Sequence, residues 1–277
     1  MDFSKYEATA NDFIMLDRMS GGPETGAAES VRLCDRRTGI GADGVIEVFP
    51  SQACDIRMRI TNADGSEAEM CGNGVRALFL FALDRGITGA DEITVETLAG
   101  RKAARKAGSA RGLSLFSVDM GAPGYKRGDI PMAGEPGEEA VGVEVELEGG
   151  PVVKATCVSM GNPHCVVFVD DVSGCAVESL GARLETHPLF PARTNVEFVK
   201  VTADDALEVR VWERGVGETM ACGTGACAAL VAANLNGFTG KRASVSLPGG
   251  RLEVEWSESG VVLTGPARRV FDGKTVD

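Results

Sequence analysis

Read for its alternation of apolar and polar positions, the chain is mostly strand. VIEVF (45–49), IRMRIT (56–61), EITVET (92–97) and LSLFSVDM (113–120) are short alternating or β-branched runs. The same holds for VEVELE (143–148), HCVVFVD (164–170), TNVEFVKV (194–201), LEVRVW (207–212), ASVSL (243–247), RLEVEW (251–256) and VVLTG (261–265). Two stretches break this rhythm with helical spacing, Gly74 to about Arg85 and Gly225 to about Asn236, with Gly86 and Gly237 as their C′ residues. The first is apolar on nearly every side, with Arg76 as its one polar residue before Asp84, which predicts a buried helix. The second is apolar and small (Ala228, Ala229, Leu230, Val231, Ala232, Ala233), so strands can approach it closely.

The two helices are copies. MCGNGVRALFLFALDRG returns in the same register as ACGTGACAALVAANLNG, and one offset of 151 residues relates Cys71 to Cys222, Asn11 to Asn162, Arg59 to Arg210, Glu67 to Glu218 and Gly86 to Gly237. A period this long signals duplicated domains, not a solenoid. The expected fold class is α+β: two pseudo-symmetric domains, each a curled, mostly antiparallel strand layer around a central helix. Expected boundaries are 1–118 and 119–266, with 267–277 packing back on the first domain and the active site at the junction. The Gly/Pro-rich segment Met120–Glu139 reads as the connection, with Val118 as hinge. The basic run 101–111 reads as a solvated edge strand or hairpin.

Composition narrows the function. A net charge of −12 and a pI near 4.8 argue against nucleic acid, whose phosphates call for clustered Lys and Arg. The start, MDFSKYEATANDF, lacks the apolar core of a signal peptide, and no apolar run is long enough to span a bilayer, so a soluble, cytoplasmic chain is expected. Eight cysteines then read as reduced thiols, six of them packing residues. No zinc-type pair occurs, and no metal is expected. GIGADG (39–44) fits a dinucleotide pattern, but no apolar strand precedes it and VIEVF follows where a helix is required.

The remaining two cysteines carry the chemistry. Cys71 and Cys222 each stand where the free N–H groups of a helix start converge, a setting that brings a thiol from about 8.5 to roughly 3.5–7.5. If the duplication is two-fold, the helix starts face each other with a ligand between, and a carbon gripped by opposed acid and base is inverted. Sulfurs about 3–3.5 Å from one hydrogen position stand roughly 6–7 Å apart. At an effective dielectric of about 20, one thiolate then disfavours the other by about 2.5 kcal/mol, so one thiolate and one thiol coexist. Gly72, Asn73 and Gly74, with Gly223, Thr224 and Gly225, offer backbone N–H groups suited to a carboxylate that gains charge as its α-proton leaves. No cofactor, pyridoxal phosphate included, is then required.

At these residues the chain resembles the diaminopimelate epimerases, over SKYEATANDF, GIGADG, TNADGSEAEMCGNGVR, VDMGAP, GNPHCVVF, TNVEFV, WERGVGETMACGTGACA and GPARRVF. The resemblance implies a cofactor-independent epimerase of lysine and peptidoglycan precursor synthesis that interconverts LL- and meso-diaminopimelate. It implies that Cys222 removes the α-proton in the LL to meso direction while Cys71 donates one. His164 and Glu213 fall at catalytic positions. Asn11, Asn62, Gly72, Asn73, Asn162, Asn195, Glu213, Arg214, Gly223 and Thr224 fall at substrate positions. A diamino dicarboxylic acid offers a distant carboxylate to Arg214 and a distant ammonium to Glu213. Phe271 falls near a family position tied to dimer contacts, so a homodimer is an open alternative to a monomer.

Each assignment has a plainer rival. Asn62, Asn162 and Asn195 can be turn formers, His164 an interior histidine, and Glu213 and Arg214 surface charges; His187 reads as structural. The sequence departs from the family at Ala8, Thr9 and Ala10, where Gly-x-Gly is usual, at Glu7 where His is frequent, at Gly44, and at Ala77. Proline racemases and hydroxyproline epimerases share the paired cysteines but typically carry His where Asn73 stands. A thiol redox protein and a non-catalytic amino-acid-binding module are the rivals from other classes.

Overall fold

The computed structural model describes residues 1–276. The chain divides into two compact units, Met1–Asp119 together with the C-terminal segment from Thr264, and Met120–Leu263.

The first unit holds β1 (Asp2–Ala8), β2 (Asn11–Asp17), α1 (Ala27–Cys34), β3 (Gly44–Phe49), β4 (Ile56–Asn62), β5 (Glu67–Ala68), α2 (Gly72–Asp84), β6 (Glu92–Thr97), β7 (Gly100–Ala110) and β8 (Leu113–Gly121). Antiparallel pairs β1–β2, β3–β4, β4–β5, β6–β7 and β7–β8 are joined by the parallel pairs β2–β3 and β4–β6. The layer curls round α2, whose Val75, Leu78, Phe79 and Phe81 are buried. Phe79 meets Phe116 at 5.1 Å between ring centroids, and Tyr6 stands edge-on to Phe81 at 5.6 Å.

The second unit repeats this with β9 (Val143–Glu146), β10 (Val152–Ser159), β11 (Pro163–Phe168), α3 (Val177–Glu185), β12 (Asn195–Ala203), β13 (Ala206–Glu213), β14 (Gly217–Thr219), α4 (Gly223–Leu235), β15 (Arg242–Leu247) and β16 (Gly250–Ser257). The last strand, β17 (Gly260–Lys274), begins here and ends in the first unit, where it pairs antiparallel with β1. The parallel pairs recur as β11–β12 and β13–β15, and the offset of 151 holds in the registers: Phe13 faces Gly44 and His164 faces Asn195, while Ile60 faces Ala68 and Val211 faces Thr219. The fold class is therefore the expected one, an α+β chain built twice from one half.

Several elements differ from the sequence reading. Both central helices begin two residues earlier than predicted, because each cysteine is itself the N-cap. Gly86 (φ 67°) and Gly237 (φ 73°) follow their C-termini as expected. The short helices α1 and α3 were not foreseen; eight or nine residues give too few turns for a periodic signal. Segment 120–139 is no free connection: Ile130 and Met132 are buried in the second unit's core with Val145, Leu147, Leu184 and Phe198. Strand β7 is a mostly exposed hairpin strand paired on both sides, not an edge. No helix among the described residues is long and apolar enough to cross a membrane.

Candidate functional site

Each unit builds one half-site around the start of its central helix. Gly74 and Gly225 permit this: a Cβ on Gly74 would stand 2.9 Å from Ile46 Cδ1, and one on Gly225 2.7 Å from Glu197 Oε1. The first turns of α2 and α4 thus press against β3 and β12 with no room for a side chain.

The loop that carries each cysteine is pinned by the same arginine–glutamate pair. Arg59 on β4 pairs with Glu67 at 3.2 Å and with the buried Glu47 at 3.0 Å, and donates to Thr25 O at 2.9 Å, ahead of α1. Its copy Arg210 on β13 grips Glu218 with two hydrogen bonds of 2.7 and 3.0 Å and donates to Val172 O and Cys175 O, ahead of α3. Glu67 and Glu218 each lie four residues before their cysteine.

In the first half-site, half-buried Cys71 accepts from Gly74 N–H at 3.3 Å and donates its thiol to Asn11 Oδ1 at 3.6 Å. Asn73 Nδ2 reaches the same oxygen at 3.3 Å, and its Oδ1 accepts from Arg76 at 2.8 Å. Arg76, fully buried, also donates to Gly72 O, Thr9 Oγ1 and Pro266 O. Asn11 is held in turn by Asp43, which with Arg36 and Lys5 surrounds Asp12. Burial alone raises the Asp12 carboxyl, but hydrogen bonds from Arg36 and Lys5 outweigh it and hold it at about 2. Asn62 is spent on the turn between β4 and β5, donating to Ser66 Oγ at 3.0 Å.

In the second half-site, Cys222 is only 6% exposed and accepts from Gly225 N–H at 3.4 Å, with Thr224 Oγ1 also 3.4 Å from its sulfur. Asn162 Nδ2 donates to Thr224 Oγ1 at 3.4 Å, and Asn162 Oδ1 lies 2.9 Å from His164 Nε2. His164 Nδ1 lies 2.7 Å from Glu197 Oε1, and both residues are 0% exposed. Glu213 accepts from Thr219 Oγ1 at 2.6 Å. Both ends of the Asn195 amide go to backbone, Nδ2 to Pro163 O and Oδ1 from Arg214 N–H, so this residue fixes the turn after β13. Exposed Arg214 donates to Ala192 O at 3.0 Å. His187 is structural, accepting from Leu189 N–H.

One expectation is overturned. A thiol lowered by its helix start was predicted, but burial pushes the Cys222 thiol well up, the carboxylates of Glu213 and Glu197 push it further, and Thr224 and Gly225 N–H only partly oppose them. Burial likewise raises Glu213, which hydrogen bonds from Thr219 and Cys222 partly offset. Of the six remaining cysteines, Cys34, Cys157, Cys165 and Cys227 are buried, while Cys54 and Cys175 are half-buried. Arg76, Asp43 and Glu197 were not singled out as site residues, although the repeat offset sets Arg76 and Glu197 against the apolar or weakly polar Cys227 and Ile46.

Fold and half-sites together define a class of chain made from two copies of one α+β half, each opening its central helix with an N-cap cysteine. The sequence pattern of the diaminopimelate epimerase family matches residues 3–125 and 156–270, and the chain belongs to that family. It is 48% identical over 277 residues to a diaminopimelate epimerase of Pelotomaculum thermopropionicum, covering 99% of this chain and 98% of that one. A diaminopimelate epimerase of Heliobacterium modesticaldum is 48% identical over 280 residues, with 99% of each covered. The fold is shared with a hydroxyproline epimerase from Agrobacterium vitis at a TM-score of 0.68 and 16% identity, covering 99% of this chain and 91% of that one.

Proposed function

We propose that the chain is a diaminopimelate epimerase that interconverts the LL and meso forms by two-base thiol chemistry without a cofactor. The observation that carries this reading is the duplicated N-cap cysteine, Cys71 on α2 and Cys222 on α4. In the LL to meso direction the Cys222 thiolate takes the α-proton, and its bonding pair moves into the carboxylate. The Cys71 thiol then returns a proton to the opposite face, so one S–H bond forms as the other breaks. Backbone N–H groups of Gly72, Asn73, Gly223 and Thr224 stabilise the charge gathered on the carboxylate. Glu213, hydrogen-bonded to Cys222, accepts the thiol proton when that thiolate forms. Arg214 suits the distant carboxylate of a diamino dicarboxylic acid, with Asn11, Asn62 and Asn162 as polar lining and Asn195 acting through Arg214.

The test is proton NMR of LL-diaminopimelate with the reduced protein in deuterium oxide, no cofactor added. Loss of the α-hydrogen signal together with meso product is expected. Cys71→Ala and Cys222→Ala should each cost at least about 10³-fold in kcat while leaving the fold intact. Exchange of proline or hydroxyproline instead would move the chain to the other racemases of this fold, and near-full activity in either variant would end the two-thiol reading.

A further inference from the structure

The duplication supplies an internal comparison that singles out one residue. Under the offset of 151, His164 corresponds to Phe13 and Glu197 to Ile46. The equivalence is structural as well as sequential: Ile46 Cδ1 and Glu197 Oε1 are the atoms that crowd Gly74 and Gly225. The first half folds with an apolar pair here, so the scaffold does not need the ionisable one. The second half carries a buried carboxylate whose Oε2 has no hydrogen-bond partner among the described residues. Leaving such an oxygen unpaired is costly, and a buried ion pair is weak evidence for stability.

The hydrogen bonds indicate what that cost obtains. Asn162 donates Nδ2–H to Thr224 and so turns Oδ1 to His164 Nε2, which must carry hydrogen. The 2.7 Å contact between Nδ1 and Glu197 Oε1 then requires a second proton. Thr224 Oγ1, already accepting from Asn162, has its own hydrogen left for Cys222 Sγ. The chain runs Nε2–H to Oδ1, Nδ2–H to Oγ1, Oγ1–H to Sγ, with every donor aimed toward the sulfur. In the first half the copied groups are wired differently: Asn73 Nδ2 and the Cys71 thiol both donate to Asn11 Oδ1.

We propose that Glu197 is a positioning residue of the reaction: it keeps the second proton on His164, so that a doubly protonated ring polarises the Asn162–Thr224 chain and steadies a thiolate on Cys222. This rests on the epimerase reading given above. A charged donor at the head strengthens each following hydrogen bond. No bond to carbon is made or broken by Glu197, and the proton it secures stays on the ring through turnover.

The experiment reads the ring directly. His164 and His187 are the only two histidines, so nitrogen-15 NMR of the imidazoles, with His187→Gln to assign them, reports how many ring nitrogens of His164 carry hydrogen. Two are expected in the wild type and one in Glu197→Gln. In that variant kcat should fall about 10²-fold with KM nearly unchanged. The double variant His164→Phe, Glu197→Ile copies the first half into the second; it should melt no lower than wild type yet lose at least about 10²-fold in kcat. A wild-type ring with one protonated nitrogen overturns the proposal, and so does an unaltered kcat in Glu197→Gln. The ring measurement needs no turnover, so a protein that fails to epimerise diaminopimelate sinks the function while leaving the proton on His164 to be judged by itself.

Discussion

Thr9 and Ala10, the two residues between β1 and β2, have φ of 57° and 60°, in the left-handed region that glycine enters freely and side chains resist. Their neighbours hold them there: Glu7 Oε2 accepts from Ala10 N–H at 3.0 Å, and Thr9 Oγ1 accepts from Arg76 at 2.9 Å. Ala10→Gly is therefore expected to raise stability by about 0.5–1 kcal/mol, seen as a higher urea midpoint with an unchanged slope. This departure from Gly-x-Gly was visible in the sequence, but its resolution by Glu7 and Arg76 was not, since Arg76 comes from α2. Glu197 was hidden for another reason. In TNVEFVKV it alternates with apolar residues and so reads as solvent-facing, whereas the face it points to is covered by α4. The recoverable signal was disagreement between the copies. Charged or polar residues stand against apolar ones at Glu47/Phe198, Ile46/Glu197 and Phe13/His164, and each of those polar side chains is buried.

Among elements, the strands with strict alternation were legible, and so were both central helices, because long, apolar periodicity leaves little choice. The two hairpin strands β1 and β2 were not, since DFSKYEA and NDFIMLD mix apolar and polar residues on both faces. What fixes the loops between elements is electrostatic and long in range. Glu47 is 1% exposed and is satisfied by Arg18, Arg59 and Thr25, so removing Arg59 strips a buried carboxylate of a partner. Arg59→Met should destabilise the protein by about 3 kcal/mol, and adding Glu47→Met should recover most of that, measured as a double-mutant cycle in denaturant. The copy at Arg210 pairs with the exposed Glu218 and with backbone carbonyls instead, so Arg210→Met should cost less.

At the scale of the whole molecule, the duplication was the clearest feature of the sequence, and the strand registers within both units obey its offset. The upward push on the Cys222 thiol was not legible, because it depends on burial and on the carboxylates of Glu213 and Glu197, which converge only in the fold. Ending the chain after Leu263 should strip protection from β1 while leaving β12 and β13 protected, as hydrogen exchange resolved by residue would report. Equal loss in both units would contradict this. Strand β1 pairs with residues 268–274 of β17, and Arg76 donates to Pro266 O, so the N-terminal half borrows its closing strand from the far end of the chain. During translation, which proceeds at about 5–20 residues per second, that half therefore waits on the order of 10 s while the entire second unit is synthesised. Until the ribosome releases the last strand, Phe3 and Tyr6 lie along an unfinished edge and the Arg76 guanidinium lacks one of its acceptors.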